Sequence, residues 1–191
     1  MNRKNLRSLA AGVALLLAVG ALAGCGGEKK ADDSKKMVTV GIAQLVEHGA
    51  LDAANKGFVA GMASKGFKEN ENVKYDRQNA QADQSNLQNI AQRFVSNKVD
   101  LICAIATPTA QTMANATKDI PIVATAVTDY EVAKLAASNN EPKGNVTGTS
   151  DMNPIDQQLE LLLKIAPQTK NIGTVYSSSE VNSQLQVDVL K

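Results

Sequence analysis

The stretch DLICAIATPTAQTMANATKDIPIVATAV, residues 100–127, decides the fold class of this chain. It opens with a nearly continuous apolar run at 100–106, which is typical of a strand buried on both faces. A helix is predicted over 107–118, because Pro108 suits a first helical turn, and a second apolar run at 120–127 predicts another strand. A strand, a helix and a strand in this order predict a right-handed crossover between parallel strands.

The same alternation of strands and helices continues in both directions from this stretch. Further strands are predicted at 37–43, 73–78 and 144–150, and further helices at 50–66 and 85–98. In the second of these helices Ser85 is followed three residues later by Gln88, which predicts a capping box. We therefore expect an α/β fold whose first lobe, residues 37–150, is a doubly wound parallel sheet with helices on both faces.

The pattern restarts after the fifth strand. Asn153 followed by Pro154 predicts the N-cap and the first residue of a helix, and a strand at 171–177 and a helix at 179–191 follow. One strand and two helices are too few to build an independent core. Residues 151–191 are therefore expected to be the beginning of a second α/β lobe, and the chain is expected to be truncated at its carboxyl end.

The first residues have the layout of a bacterial export signal. Residues 2–7 carry the positive charge, and an apolar run at 9–23 follows them. This run is shorter than the roughly 20 apolar residues that a transmembrane helix needs. The residues that close it, Leu22-Ala23-Gly24-Cys25, resemble the lipobox of bacterial lipoproteins. An ordinary secretory cleavage site is the alternative.

The lipobox resemblance implies cleavage before Cys25 and acylation of its sulfur and of the new amino terminus. Residues 1–24 are then a signal peptide, and the mature protein is anchored by lipid in the cell membrane, facing the extracellular or periplasmic side. The tract that follows contains no apolar side chain larger than alanine up to residue 36. Because such a tract cannot offset the entropy of ordering, residues 25–36 are predicted to be a flexible tether.

Charge and composition argue against several classes of function. Lys and Arg number 20 against 19 Asp and Glu, and aromatic residues make up 3%, so we expect no nucleic-acid partner. Neither a GxGxxG phosphate loop after the first strand nor a GxSxG nucleophile motif is present, so we expect no cofactor and no catalytic residue. His48, the sole histidine, cannot define a metal site alone. Cys103 lies in the middle of a strand and is expected to be a buried small residue, unpaired with Cys25.

Candidate binding residues lie where strands of the predicted sheet end, because ligands of open α/β sheets bind at the carboxyl ends of the strands. Thr107 and Thr109 flank a helix start, whose free NH groups and dipole favour an anion such as a carboxylate. The alternative is that Thr107 only caps its helix. Thr128 and Asp129 follow the fourth strand, where an ordinary turn is the alternative. His48 is predicted to line the pocket, with a surface or capping position as the alternative.

Four segments together carry a resemblance to a known family. They are VGIAQLVEHGALDAANKGF (40–58), DLICAIATPTAQTMANATKDIPIVATAVTD (100–129), NVTGTSDMNP (145–154) and VYSSSEVNS (175–183). The chain from residue 38 to its end resembles bacterial ABC-transporter substrate-binding lipoproteins, a family that includes tryptophan-binding and aromatic amino-acid-binding members. This resemblance implies a type I periplasmic-binding-protein fold, in which two lobes close on a small ligand.

The resemblance also implies binding residues and partners for a protein that is not an enzyme. Thr107, Thr109 and Thr128 would hold the carboxylate of an amino-acid ligand. Further contacts are implied for Gln44, His48, Asp129, Ser150 and Asp151 in the first lobe, and for Ser178, Glu180 and Asn182 in the second. The ligand is expected to be a small solute, an amino acid and aromatic in the nearest members, which is delivered to an ABC permease in the membrane. A lipid-anchored sensor without a transport role is the alternative that the sequence leaves open.

Overall fold

A computed structural model of the chain describes residues 37–142 and 144–191. The predicted signal peptide, Cys25 and the predicted tether lie outside these residues. The strands are β1 Val38–Gln44, β2 Val73–Asn79, β3 Leu101–Ile105, β4 Ile122–Val127, β5 Ala136–Ser138, β6 Glu141–Pro142 and β7 Val146–Ser150. The helices are α1 Gly49–Ser64, α2 Gln84–Ser96, α3 Thr107–Ala116, α4 Ile155–Ile165 and α5 Val181–Leu190.

Five of the strands form one parallel sheet in the order β2-β1-β3-β4-β7. The α/β fold class is confirmed, and all five predicted strands of the sheet and its three helices form within a few residues of their predicted bounds. β5 and β6 make a separate antiparallel pair that the sequence does not predict. Strands of two and three residues are too short to show a periodic pattern.

The order of the strands explains how the helices cover the sheet. The chain moves from β1 outwards to β2 and then back across β1 to β3 and β4, so the direction of the crossovers reverses once. Because each crossover is right-handed, α1 packs on one face of the sheet while α2 and α3 pack on the other. Phe94 and Met113 belong to the core on the α2 and α3 face, and Ile42 and Ile105 to the core under α1.

Cys103 lies in β3 within the core under α1 and is completely buried. Burial raises the pKa of its thiol from 9.0 to about 12, since a thiolate would lose its hydration there. The thiol is therefore protonated and unreactive at neutral pH. The prediction of a small buried residue without a disulfide is confirmed.

Two predicted helix caps are wrong. α2 is capped by Asp83, whose carboxylate accepts a hydrogen bond of 2.7 Å from the backbone NH of Asn86, and Ser85 already lies inside the helix. In α4 the N-cap position falls on Pro154 and no side chain caps the helix, so Asn153 is not the N-cap. The first error arises because Asp83 and Ser85 have similar capping propensities, and the second because the helical turn of α4 begins one residue later than the Asn-Pro pair predicts.

The strand predicted at 171–177 is also wrong, because the structure shows irregular backbone there. Val175 in this segment is fully exposed. A strand is stabilised by a ladder of hydrogen bonds to a neighbour, and none of the strands of the described residues pairs with this segment. α4 and α5 pack against each other beside it, and a cleft of about 370 Å³ lined by both helices and by residues 172–176 lies between them.

The described residues contain neither a membrane-spanning helix nor a cluster of metal ligands. None of its helices combines the length and the apolar character needed to cross a membrane. Within the same residues no group of three or more His, Cys, Asp or Glu side chains could hold a metal ion.

Gly41 in β1 lies directly beneath the ring of Phe94 in α2. A Cβ atom at this position would lie 2.7–2.8 Å from three ring carbons of Phe94, which is completely buried. Such a contact is shorter than van der Waals packing allows, so the ring of Phe94 can rest on β1 only where the residue beneath it is glycine.

The close packing of Phe94 on Gly41 predicts that Gly41→Ala lowers the free energy of unfolding by about 1–3 kcal/mol, since the core cannot accept the added methyl without strain. Gly61→Ala on α1 is the matched control, because a Cβ there meets nothing within 4 Å. The control is expected to raise stability by about 0.5–1 kcal/mol through its helix propensity. Urea unfolding measures both, and equal stabilities of the two variants would contradict the packing described here.

Candidate functional site

The switch point of the sheet lies between β1 and β3, where the direction of the crossovers reverses. Gln44, the last residue of β1, pairs with Ile105, the last residue of β3, so the two strands end side by side. The next two strands end at the same edge, with Val127 of β4 opposite Ser150 of β7. The first-lobe residues predicted to bind a ligand lie at these strand ends or shortly after them, and we call this edge the carboxyl edge.

Thr107 and Thr109 lie in the first turn of α3, directly behind the carboxyl edge. The two residues are 1% and 0% exposed, and neither hydroxyl oxygen has a hydrogen-bond partner among the residues that the structure describes. Ala106 occupies the N-cap position without any side-chain cap, so the alternative in which Thr107 merely caps the helix is wrong. Buried hydroxyls are nearly always hydrogen-bonded, because leaving one unpaired costs about 1–3 kcal/mol.

The turn into α3 is strained at Ala106. Its φ is 87° and its ψ is 152°, a backbone conformation that residues with a Cβ rarely adopt. Such a conformation costs about 1–3 kcal/mol. The NH of Ala106 donates a hydrogen bond of 3.0 Å to the carbonyl oxygen of Thr125 in β4, which holds the turn against the sheet. Helix α3 therefore begins immediately at the end of β3, and the NH groups of its first turn lie at the carboxyl edge.

Gln44 is nearly buried and its carboxamide is already hydrogen-bonded within the first lobe. Its NH2 group donates to the carbonyl of Val46 at 2.9 Å and to the carboxylate of Asp52 at 2.6 Å. Its oxygen accepts a hydrogen bond of 3.2 Å from the side chain of Asn55. The carboxamide thus joins the end of β1 to α1, and Asp52 and Asn55 are partners that sequence reasoning missed, since both lie on the same face of α1 without any motif.

His48 is the N-cap of α1. Its side chain is exposed, and Nδ1 accepts a hydrogen bond of 3.3 Å from the backbone NH of Ala50. His48 therefore occupies a helix-capping position, which was the alternative to a position in the pocket wall.

The loops after β4 and β7 are held to each other by hydrogen bonds. The Ser150 hydroxyl donates to the carbonyl of Thr128 at 2.7 Å, and Thr128 itself is buried. Asp129 behaves as a turn residue, since its carboxylate accepts from the NH of Val132 at 2.8 Å and from the side chain of Asn139 at 2.7 Å. Asp151 follows β7 and is exposed.

The residues predicted from the second lobe lie around the start of α5. Ser178 is exposed in the segment before the helix, and the side chain of Asn182 donates a hydrogen bond of 3.3 Å to the carboxylate of Glu180. The carbonyl oxygen of the Asn182 side chain is buried and has no hydrogen-bond partner. Like the hydroxyls of Thr107 and Thr109, it is a polar group that the described residues leave unsatisfied.

Comparison with known proteins gives a consistent assignment. A family model described as ABC transporter substrate binding protein matches residues 39–191. The chain is 50% identical over 197 residues to the tyrosine-binding protein of Clostridioides difficile (strain R20291), an alignment that covers 99% of this chain and 56% of that protein.

Solved structures of similar proteins share the fold. The ABC domain from Streptococcus pneumoniae in complex with L-Trp matches with a TM-score of 0.79 and 44% identity over 82% of this chain and 52% of that one. The ligand-free, open structure of a substrate binding protein with adhesive properties from Clostridium difficile matches with a TM-score of 0.67 and 52% identity over 81% of this chain and 52% of that one. The chain spans about half the length of these relatives.

The unpaired hydroxyls predict an unusual response to mutation. Thr107→Val and Thr109→Val are each expected to leave the free energy of unfolding unchanged or to raise it, because each removes a buried hydroxyl that bonds to nothing. Thr117→Val is the matched control, since the Thr117 hydroxyl accepts hydrogen bonds of 3.2 Å from the NH groups of Asp119 and Ile120. The control is expected to lose about 1–2 kcal/mol in urea unfolding. Equal losses in all three variants would show that Thr107 and Thr109 have partners in the unliganded protein.

Proposed function

The chain belongs to the family of ABC transporter substrate-binding proteins, and from this premise we propose that it captures an amino acid at the carboxyl edge and presents it to a membrane permease. Members of the family bind a substrate and catalyse no reaction on it. Binding is therefore the function to be explained, and it depends on which groups at the carboxyl edge are available to a ligand.

The observation that carries the proposal is the pair of buried, unpaired hydroxyls of Thr107 and Thr109 in the first turn of α3. A carboxylate placed there accepts hydrogen bonds from the hydroxyls and from free NH groups of the helix. The positive end of the helix dipole adds to the attraction. Because the hydroxyls are already desolvated in the unliganded protein, the ligand gains these bonds without a further desolvation cost for the two side chains.

The relatives indicate which amino acids to test. One is described as a tyrosine-binding protein and another was solved in complex with L-Trp. We propose an aromatic L-amino acid as the ligand of this chain as well. Its ammonium group needs an acceptor, and we assign that role to Asp151, the exposed carboxylate directly after β7.

We propose that the remaining contacts come from the segment around the start of α5, through Ser178, Glu180 and Asn182. The unsatisfied carbonyl of the Asn182 side chain supports this assignment, since it is an acceptor that still needs a donor. In a two-lobed receptor a ligand that bonds to both lobes shifts the population towards the closed state. A permease that binds the closed state then contacts mostly receptor molecules that carry the ligand.

We also propose that Cys25 carries a lipid anchor and that residues 25–36 tether the folded part to the membrane. A tether of this length lets the receptor reach a permease in the same membrane while it stays on the outer side. Mass spectrometry of the mature amino terminus tests this point separately from ligand binding.

Isothermal titration calorimetry with tyrosine and tryptophan tests the ligand. The experiment uses this chain with the second half of the Clostridioides difficile tyrosine-binding relative joined after residue 191, beside the 191-residue chain alone. We expect binding by the joined protein, and weak or no binding by the chain alone, because each lobe of such a receptor supplies only part of the contacts. A joined protein that folds but binds neither amino acid would contradict the proposal.

Substitutions of Thr107 and Thr109 test whether the carboxylate of the ligand binds at the first turn of α3. Thr107→Val and Thr109→Val are expected to weaken binding by tenfold or more each, at about 1.5–3 kcal/mol for a hydrogen bond to a charged group. Thr112→Val on α3 is the control, because its hydroxyl bonds to the carbonyl of Pro108 one turn back and lies away from the helix start. Equal affinities of all three variants would exclude the first turn of α3 as the carboxylate site.

A further inference from the structure

Strand β4 contains a bulge just before it reaches the carboxyl edge. Ala124 pairs with Gly148 and Val127 pairs with Ser150, so two residues of β4, Thr125 and Ala126, lie opposite a single residue of β7. Ala126 has a φ of 55°, a left-handed conformation that residues with a Cβ seldom adopt.

The bulge changes the face to which the end of β4 points. In a regular strand, residues three apart lie on opposite faces. Ala124 and Val127 are three apart, yet both belong to the core on the α2 and α3 face, while Ala126 packs against the core under α1. The bulge therefore inverts the alternation of side chains, and it sets the direction in which Thr128, the next residue, leaves the sheet.

The hydroxyl of Tyr130 bridges this bulge. It donates a hydrogen bond of 2.9 Å to the carbonyl oxygen of Ala124 and lies 3.2 Å from the carbonyl oxygen of Thr149 in β7. The ring is 6% exposed and belongs to the core on the α2 and α3 face. Burial, together with the charge of Asp151, raises the pKa of the phenol to about 12, so the hydroxyl stays protonated and able to donate at neutral pH.

Gly148 makes room for this bridge. A Cβ atom at this position would lie 2.2 Å from the hydroxyl oxygen of Tyr130 and 1.9 Å from the carbonyl oxygen of Ala124. The tyrosine hydroxyl therefore reaches the two carbonyls only because β7 has no side chain at position 148.

We propose that Tyr130 is a positioning residue for ligand binding: by bridging the β4 bulge, its hydroxyl holds Thr128 in the orientation that the ligand requires. This inference rests on the proposed function and adds Thr128 to its carboxylate site, as the family resemblance implies. Tyr130 itself lies within the core, so it acts through the backbone of β4. The Ser150 hydroxyl fixes the carbonyl of Thr128 from the other strand, and Asn139 accepts from the NH of Tyr130 at 2.7 Å, so the residue after the bulge is held from both sides.

The test is Tyr130→Phe in the joined protein described above, with affinity for tyrosine or tryptophan measured by calorimetry. The variant keeps the ring in the core and loses the bridge, and we expect its affinity to fall about fivefold to tenfold. Tyr75→Phe is the matched control, because the Tyr75 hydroxyl is buried on the other face without a hydrogen-bond partner. The control is expected to bind like the parent protein, and an unchanged affinity in Tyr130→Phe would overturn the inference.

A double-mutant cycle separates positioning from general destabilisation. If Tyr130 acts through Thr128, then Tyr130→Phe costs little further affinity once Thr128→Val has removed the contact that it positions. Losses that add in full would show that the hydroxyl of Tyr130 acts on binding independently of Thr128, and would overturn the inference.

The inference and the proposed function fail in distinguishable ways. If the parent joined protein binds no amino acid, the proposed function fails, and the bulge is then examined by NMR in the 191-residue chain. We expect Tyr130→Phe to shift the backbone signals of Ala126, Val127 and Thr128 while those of β1 stay in place. Unchanged signals at these three residues would show that the hydroxyl does not hold the bulge.

Discussion

The parallel pairing of β1 with β3 is the interaction on which the rest of the structure depends. β2 lies on the far side of β1, so this pairing forces the chain to reverse its direction across the sheet. Right-handed crossovers then place α1 on one face and α2 and α3 on the other, and the two sets of loops separate above the β1–β3 boundary. The absence of a side chain at Gly41 lets Phe94 of α2 pack directly on β1, next to that boundary.

Strain and unsatisfied polar groups both occur where the strands end. Ala106 and Ala126 have positive φ within or beside β3 and β4, and the hydroxyls of Thr107 and Thr109 are buried without partners. A core selected only for stability would avoid both features, because each costs about 1–3 kcal/mol. Their location at the carboxyl edge fits a surface prepared for a ligand that supplies the missing bonds, whereas the carboxamide of Gln44, with all its partners in place, braces that surface.

Apolar runs and helical periodicity were sufficient to predict the five strands of the main sheet and the helices between them. The burial of an element determines where apolar residues occur along that element, so the pattern can be read from the element's own residues. Features that depend on partners distant in the sequence could not be predicted this way. Segment 171–177 has the composition of a strand but pairs with no strand among the described residues. The choice of Asp83 over Ser85 as a cap depends on the path of the backbone. Nothing local marks the bulge in β4, since alanine at positive φ has no sequence signal.

By itself the sequence determined the α/β class, the positions of the elements and the loops that carry polar residues to one edge, because these follow from local composition and the handedness of the crossovers. Tertiary structure alone decided which of those residues are available. In the folded chain Asp129 stabilises a turn and His48 caps a helix. The hydroxyls of Thr107 and Thr109 have no partner among the described residues, and the hydroxyl of Tyr130 binds the carbonyl of Ala124 at the bulge. The physical reason is that a hydrogen bond needs two groups within about 3 Å of each other, and only the folded chain determines which groups meet.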